Sequence, residues 1–412
     1  MNLLSVSEAR ERILKHFSPL DSQEVSLENA LGRVLFENIS ASIDLPTFSN
    51  SGMDGFAVRA ADISQAATLL PVELTVVMDI PAGAAPKQVL GAGEAARIMT
   101  GAMLPEGADC IIPLENTDRD GQSSAYLGQP IKIFRTAHIG EYVRTKGQDM
   151  SKGQLVLERG RRLEPQDIGL LATLGIVKVK VIRRPRVAIL SSGDEIISPD
   201  APLEPGKIRD SNSFMISALI TQAGGEVLRL GVAHDILEAI RDLLDQAASY
   251  SVDLIITSAG VSVGAFDFVR TAVEENGQLE FWRVNMRPGK PLSFGSYKGI
   301  PFVGLPGNPV SAYVGFEVFV RPALGRLSGL SNVDHPVTRV TLGEPIESDE
   351  RESYLRASLK HENGQTVAYL ASHQGSGNLF SLVLANALLI VPSGVKSLPI
   401  GAEVDSWLLG SC

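Results

Sequence analysis

PRVAILSSGDE, residues 185–195, sets a short apolar run at 186–190 directly against a polar turn. A run of that length bounded by turn formers predicts a buried strand whose carboxyl end opens onto a loop. The same unit recurs downstream. A helix is predicted over 213–222, stopped by Gly224 and Gly225, and EVLRLGV at 226–232 reads as the next strand. DILEAIRDLLDQAA at 235–248 reads as helical, and VDLIIT at 252–257 runs into SAGVSVG. Residues 266–276 read as a helix, LSFGS (292–296) and IPFVGL (300–305) as strands, and 309–324 as a longer helix. Buried strands alternating with helices predict a three-layer α/β/α domain over 180–326.

The chain changes character on both sides. Ser5 and Glu8 have capping-box spacing, and Val6, Ala9, Ile13 and Leu14 form a helical apolar stripe. Further helices are expected over 27–35 and 165–173. Between them lie turn-rich SIDLPTFSNSGMDGFAV (42–58) and strand-like PVELTVVMDI (71–80) and QPIKIFRTA (129–137). Residues 45–135 therefore read as a mainly β domain inserted into an elongated helical region of 1–44 plus 136–179. The tail, 327–412, carries short β-like runs such as VTRVTL, SYLRASL, QTVAYL and EVDSWLL, spaced by turns. It predicts a small β-barrel or sandwich. The fold class is multidomain α/β.

Composition excludes several functions. With 37 basic against 47 acidic side chains the net charge is −10, so no general nucleic-acid footprint exists. No stretch approaches 18 apolar residues, and charge arrives at Glu8 before any long apolar segment. Neither a membrane span nor a secretory signal is expected, and the default compartment is the cytoplasm. The two cysteines, Cys110 and Cys412, form no CxxC pair, and the six histidines supply no HExxH. A cysteine–histidine zinc site is excluded. Neither GxxxxGK[ST] nor GxGxxG is present, which disfavours Walker-type and dinucleotide sites.

Ligands of open α/β sheets sit beyond the carboxyl ends of the strands. Three loops qualify: 191–195, 258–267 and 305–309. Gly193, Gly260, Gly264 and Gly307 would let backbone amides approach an anion, and Ser262 or Asn308 could cap the following helices. Glu195, Asp235 and Asp267 each fall at a strand-to-helix boundary and could hold Mg²⁺ through oxygen ligands. Asp235 with Glu238 also has capping-box spacing, which is the favoured plain reading of Asp235. Arg283, Arg287 and Lys290 are spaced for oxyanion contacts or form a solvated strand edge, and Trp282 reads as core or interface. Asp54, between Gly52 and Gly55, would by itself only bond its own turn. Residue chemistry alone stops at a multidomain α/β protein with an anion or phosphate-ester site.

The motifs taken together go further. SGMDGFAVR (51–59), RIMTGAMLPEGAD (97–109), PRVAILSSGDE (185–195), DSN (210–212), SAGVSVGAFD (258–267), RPGKP (287–291), LPGNPVSA (305–312) and QGSGNL (374–379) span almost the whole chain. In that combination the sequence resembles the molybdopterin molybdotransferases, bacterial relatives of the gephyrin E domain. The resemblance implies a homodimer with its site in an interdomain cleft and an upstream molybdopterin adenylyltransferase as partner. The implied reaction inserts molybdate into adenylylated molybdopterin and releases AMP, assisted by Mg²⁺.

It also implies roles. Asp54 matches the family's essential MDG carboxylate, Thr100 its TG loop, and Glu195 its TGDE loop. Asp235 and Asp267 match two further site aspartates, and Pro306 and Pro309 shape its PGNP loop. Arg283 and Arg287 stand where relatives often carry lysine for molybdate or pterin-phosphate recognition. Ser192, Gly193, Gly260, Ser262, Gly264, Lys290, Gly307 and Asn308 complete the expected binding set. Ala259 replaces a common loop glycine, Ser192 a threonine and Phe56 a tyrosine. Two alternatives stay open: a catalytically weak scaffold or cofactor-delivery protein of the same family, and a nucleotide or phosphate-ester hydrolase on the shared α/β domain. Tungstate in place of molybdate is open too.

Overall fold

Ser5 starts the first helix as its spacing predicts. In the computed structural model, which describes residues 3–119, 126–259, 265–281 and 283–409, α1 is Val6–Leu14. Ser5 Oγ accepts from the Glu8 N–H at 3.2 Å, and Glu8 Oε2 accepts from the Ser5 N–H at 3.0 Å. The helix expected over 27–35 shrinks to a 3₁₀ turn at Leu27–Asn29. Ala30 follows it, Gly32 then turns the chain at φ +72°, and Val34 and Leu35 leave for bridges to Arg162 and Val181. Ser22–Ser26 pairs antiparallel with Lys178–Ile182. Contacts divide the chain into a unit of 1–37, 159–169 and 177–412, and a second of 38–158 and 170–176. No helix among the described residues is long and apolar enough to cross a membrane.

The second unit is built on five strands: β1 (Gly55–Val58), β2 (Val72–Ile80), β3 (Glu94–Ile98), β4 (Cys110–Pro113) and β5 (Pro130–Ile133). Their order is β4-β1-β3-β2-β5, with only β2 and β3 parallel. Period-two alternation explains the burial. Phe56 and Val58 enter one apolar cluster with Leu74 and Ile112, while Ala57 faces the other with Ile80 and Ile98. Gly55 sits where β1 passes closest to β4, since a Cβ there would lie 2.0 Å from the Ile112 carbonyl oxygen. Gly55→Ala should therefore cost about 2 kcal/mol or more, because backbone rather than a flexible side chain must move. Urea unfolding checks this, and a change within about 0.5 kcal/mol, the size of a neutral surface substitution, would refute the crowding argument.

The helix predicted at 165–173 forms as α2, Pro165–Thr173. The α/β domain follows in its expected alternation: β6 (Arg186–Ser192), α3 (Asn212–Gln222), β7 (Glu226–Ala233), α4 (Leu237–Ser249), β8 (Leu254–Ala259), α5 (Ala265–Asn276), β9 (Gly277–Phe281), β10 (Ser293–Tyr297) and β11 (Ile300–Pro306). The six strands run in the order β7-β6-β8-β11-β10-β9. The first four are parallel, and β10 pairs antiparallel with both β11 and β9. Val187 and Ile189 pack under α3, whereas Ala188 and Leu190 pack under α4 and α5. Both faces are covered, which is why the strands read as unbroken apolar runs.

The long helix expected over 309–324 becomes α6 (Pro309–Gly315), a π segment at Phe316–Val320 and α7 (Arg321–Leu327). Pro322 has no N–H to continue the ladder, and the wider π turn absorbs that loss. In the tail, β12 (Val337–Leu342), β13 (Glu352–Glu362), β14 (Gln365–Leu370), β15 (Ala387–Val391) and β16 (Glu403–Leu408) pair in a ring, β12-β14-β13-β15-β16-β12. The barrel is closed, with Val340, Leu342, Leu355, Leu389 and Val404 inside. Closure removes the free edges that a sandwich would leave.

Candidate functional site

Three strand ends meet as predicted, through contacts that sequence did not disclose. After β6 the chain turns at Gly193, φ +149°, where a Cβ would lie 2.7 Å from Glu195 Oε2. Glycine thus lets the Glu195 carboxylate fold back over its own loop. Ile196–Ile197 then pairs with Ile208–Arg209, delivering Asp210 to the start of α3, where its Oδ1 accepts from the Ser213 N–H at 3.0 Å. Asn212 Nδ2 donates to Ser258 Oγ at 2.8 Å and to the Gly307 carbonyl at 2.7 Å. A carbonyl can only accept, so the amide orientation is set by chemistry. The end of β8 and the loop after β11 are thereby tied through one side chain. Beside it lies a cavity of about 170 Å³ lined by Glu195, Asn212, Ser258, Gly307, Asn308 and Pro309.

Asn308 does occupy the capping position of α6, but its side chain makes no capping bond. Its Nδ2 donates instead to Ser376 Oγ at 2.9 Å, and the Val310 N–H to the Ser376 carbonyl at 3.1 Å. Pro309 has no N–H. The expectation that Asn308 leaves free amides for phosphate is therefore corrected, since the QGSGNL loop takes the one that Val310 offers.

Asp235 is also corrected. The capping position of α4 is Ile236, one residue later than a capping box with Glu238 requires. Freed from that role, Asp235 keeps a buried Oδ1 without a hydrogen-bond partner among the described residues. Burial, with the charges of Asp194 and Glu195 added, pushes its carboxyl above the ordinary range, although a hydrogen bond from the Asp194 backbone opposes this. Asp194 is held low by the His234 imidazole and by the Asp235 N–H, at 3.0 and 3.3 Å from its Oδ1. From the sequence Asp194 reads only as solvated loop charge, and His234 was missed, since nothing in its spacing marks it. Because the folded state prefers Asp235 protonated, ionising it costs stability above its unfolded value. Metal-free Asp235→Asn should accordingly be more stable than the parent at neutral pH, with the gain vanishing in acid where both states are protonated. Denaturation midpoints at neutral and acid pH measure it, and a loss of stability at neutral pH would contradict it.

Among the described residues no three His, Cys, Asp or Glu side chains are arranged to hold a metal ion. Asp267 lies in α5, but its side chain is outside the described residues, as are Gly260, Ser262, Gly264 and Trp282. The donors present are hard oxygens, and the orphan Asp235 Oδ1 fits a cation better than a neutral partner. Ser192, the last residue of β6, has a buried Oγ without a partner among the described residues, and Pro306 ends β11.

Of the basic trio, Arg283 and Lys290 are exposed. Arg287 lies in a two-residue strand, Met286–Arg287, beside the start of β13, with its guanidinium 4.0 Å from Asp349. Arg356 on β13 was not anticipated. It is fully buried, donating from Nε to Ser381 Oγ at 3.0 Å and from Nη2 to the carbonyls of Gly375 at 3.0 Å and His373 at 3.4 Å. Burial first, and the charge of Arg287 second, push its pKa down to about 10. Arg356 thus holds the loop whose Ser376 meets Asn308.

In the second unit Asp54 does not bond its own turn. Ser51 Oγ closes that turn by accepting from the Met53 N–H at 3.3 Å. Asp54 Oδ1 instead accepts from both the N–H and the hydroxyl of Thr100, each at 2.7 Å, across 46 residues of sequence. Those bonds, the hydroxyl first, hold its carboxyl below the usual range. Asp54 and Thr100 therefore form a pair that presents an ionised carboxylate.

Known proteins match along nearly all of this chain. Residues 4–175 match the model of the MoeA N-terminal region (domain I and II), 188–326 a probable molybdopterin binding domain, and 339–409 the MoeA C-terminal region (domain IV). Molybdopterin molybdenumtransferase 2 of Mycobacterium tuberculosis (strain ATCC 25618 / H37Rv) is 40% identical over 390 residues, 93% of this chain and 94% of its own. The molybdopterin molybdenumtransferase of Nostoc sp. is 37% identical, covering 97% and 92%. The crystal structure of the molybdopterin biosynthesis MoeA protein from Pyrococcus horikoshii OT3 superimposes with a TM-score of 0.83 at 31% identity, over 99% of this chain and 100% of that one.

Proposed function

Because the chain belongs to the molybdopterin molybdenumtransferase family, we propose that it inserts molybdate into adenylylated molybdopterin and releases AMP. The observation that carries this is the crevice itself. Asn212 ties the end of β8 to the loop after β11 beside Glu195, leaving a cavity at the carboxyl ends of parallel strands. Such a cavity suits a charged, phosphate-bearing substrate.

Residue roles follow from the chemistry. Arg287, with Arg283 and Lys290, supplies positive charge for molybdate or the pterin phosphate, and guanidinium suits both by its planar fork. Asp54, kept ionised by Thr100, orients substrate or a water. Glu195, Asp235 and Asp267 are the oxygen donors that would hold Mg²⁺, whose charge when bound offsets that of the departing AMP phosphate. A homodimer, an upstream molybdopterin adenylyltransferase and a cytoplasmic setting complete the reading. The test is AMP release from adenylylated molybdopterin by purified protein with Mg²⁺, with and without molybdate. Molybdate-dependent release is expected. Equal release without molybdate would turn the reading to a hydrolase, and none from a folded, substrate-binding protein to a scaffold.

A further inference from the structure

We propose that the first unit carries a second anion site, an arginine-lined cleft at the amino ends of its parallel strands, which takes the phosphate group of a small organic phosphate ester. Two adjoining cavities form it. The smaller, about 160 Å³, is lined by Arg33, Arg162, Arg183 and Arg184 together with Gly224 and Ser328. The larger, about 420 Å³, has an apolar wall of Leu219, Tyr313, Phe316, Leu330 and Leu408. Arg162, Gln222 and Ala223 line both.

The charges there are unevenly matched. Arg183 is neutralised by Asp253, with bonds of 2.8 and 2.6 Å. Arg33 is only 7% exposed, and its Nη2 donates to the Ile182 carbonyl at 2.9 Å rather than to a carboxylate. Burial first and the charge of Arg184 second act against its ionised form, with exposed Glu226 partly offsetting them. Among the described residues no hydrogen bond or ion pair engages the side chains of Arg162, half-buried, or Arg184, exposed. In a chain of net charge −10, this is a local excess of positive charge that an anion would relieve. Two free guanidinium groups can grip a tetrahedral oxyanion bidentately.

The cleft is separate from the crevice described above. Ile182, Arg183 and Arg184 lead into the amino end of β6, whereas Gly193 and Glu195 leave its carboxyl end seven residues on, roughly 20 Å away. The larger cavity has the volume of a small-molecule pocket. Its wall includes Phe316 and Glu317 of the π segment, an irregularity that frequently marks functional positions. Glu317 in that wall lies 3.3 Å from the Arg321 guanidinium, which offsets its charge. Phosphate on the arginines with an apolar or aromatic group against Leu219 and Tyr313 satisfies both halves.

Isothermal titration of the full chain with inorganic phosphate and with phenyl phosphate tests this. Both should bind, phenyl phosphate about tenfold more tightly. The double variant R162Q/R184Q, changed at two unpaired side chains and checked by thermal unfolding, should weaken both by about tenfold or more. N308A in the crevice should leave both affinities unchanged. Phosphate binding that survives R162Q/R184Q, or that N308A abolishes, overturns the site. Failure of both probes to bind overturns it as well, and equal affinity for the two overturns the ester assignment.

Discussion

Asp54→Ala lowers molybdate-dependent AMP release by about 100-fold or more while the protein stays folded, if the carboxylate orients a reacting group as proposed. The fold should tolerate the change because Asp54 is only partly buried and its turn is closed by Ser51 and Met53. What is lost is an ionised oxygen aimed by two short bonds from Thr100. Thr100→Val removes only the hydroxyl, the larger of the two influences that hold the carboxyl low. Its pKa then rises toward the ordinary range. Activity at neutral pH should survive better than in D54A, and the acid limb of the pH profile should move to higher pH. A pH–rate comparison of the three proteins decides it. Turnover equal to the parent in a folded D54A variant would remove Asp54 from the reaction.

Arg356→Ala should cost about 3 kcal/mol, since it opens a cavity and strips a donor from three acceptors at once. Arg356 is fully buried among Ser381, His373 and Gly375, without a carboxylate partner. Its burial is itself unfavourable, as the downward pull on its pKa indicates. Arg356→Met separates these effects. Methionine restores most of the volume and removes the buried charge, so it should recover more than half of the lost stability. It cannot restore the bonds to the His373 and Gly375 carbonyls, so the Ser376–Asn308 contact loosens and KM rises. Denaturant titration and steady-state kinetics read the two quantities apart. R356M matching the parent in KM would show that the loop holds itself.

The fold class was legible because it rests on local signals. Apolar runs of five or six residues bounded by glycine announced β6, β8 and β11. Ser5 and Glu8 announced α1 through a contact only three residues apart. Expectations failed where a distant partner outcompeted a local one. Helical propensity over 27–35 lost to bridges with Arg162 and Val181, the spacing of Asp235 and Glu238 lost to a later helix start, and Asn308 turned from its own helix to Ser376.

The candidate site divides in the same way. Sequence alone determined that three loops would leave the carboxyl ends of buried strands, and which carboxylates and glycines they would carry. Local periodicity and turn chemistry act within a few residues and are written in order along the chain. Only the tertiary structure decided that Asn212 would tie the end of one strand to the loop after another, that Thr100 would set the charge of Asp54, and that an arginine on an alternating strand would face inward. Each is a hydrogen bond between groups tens of residues apart, chosen by which acceptors burial leaves unsatisfied. That choice exists only once the strands have packed.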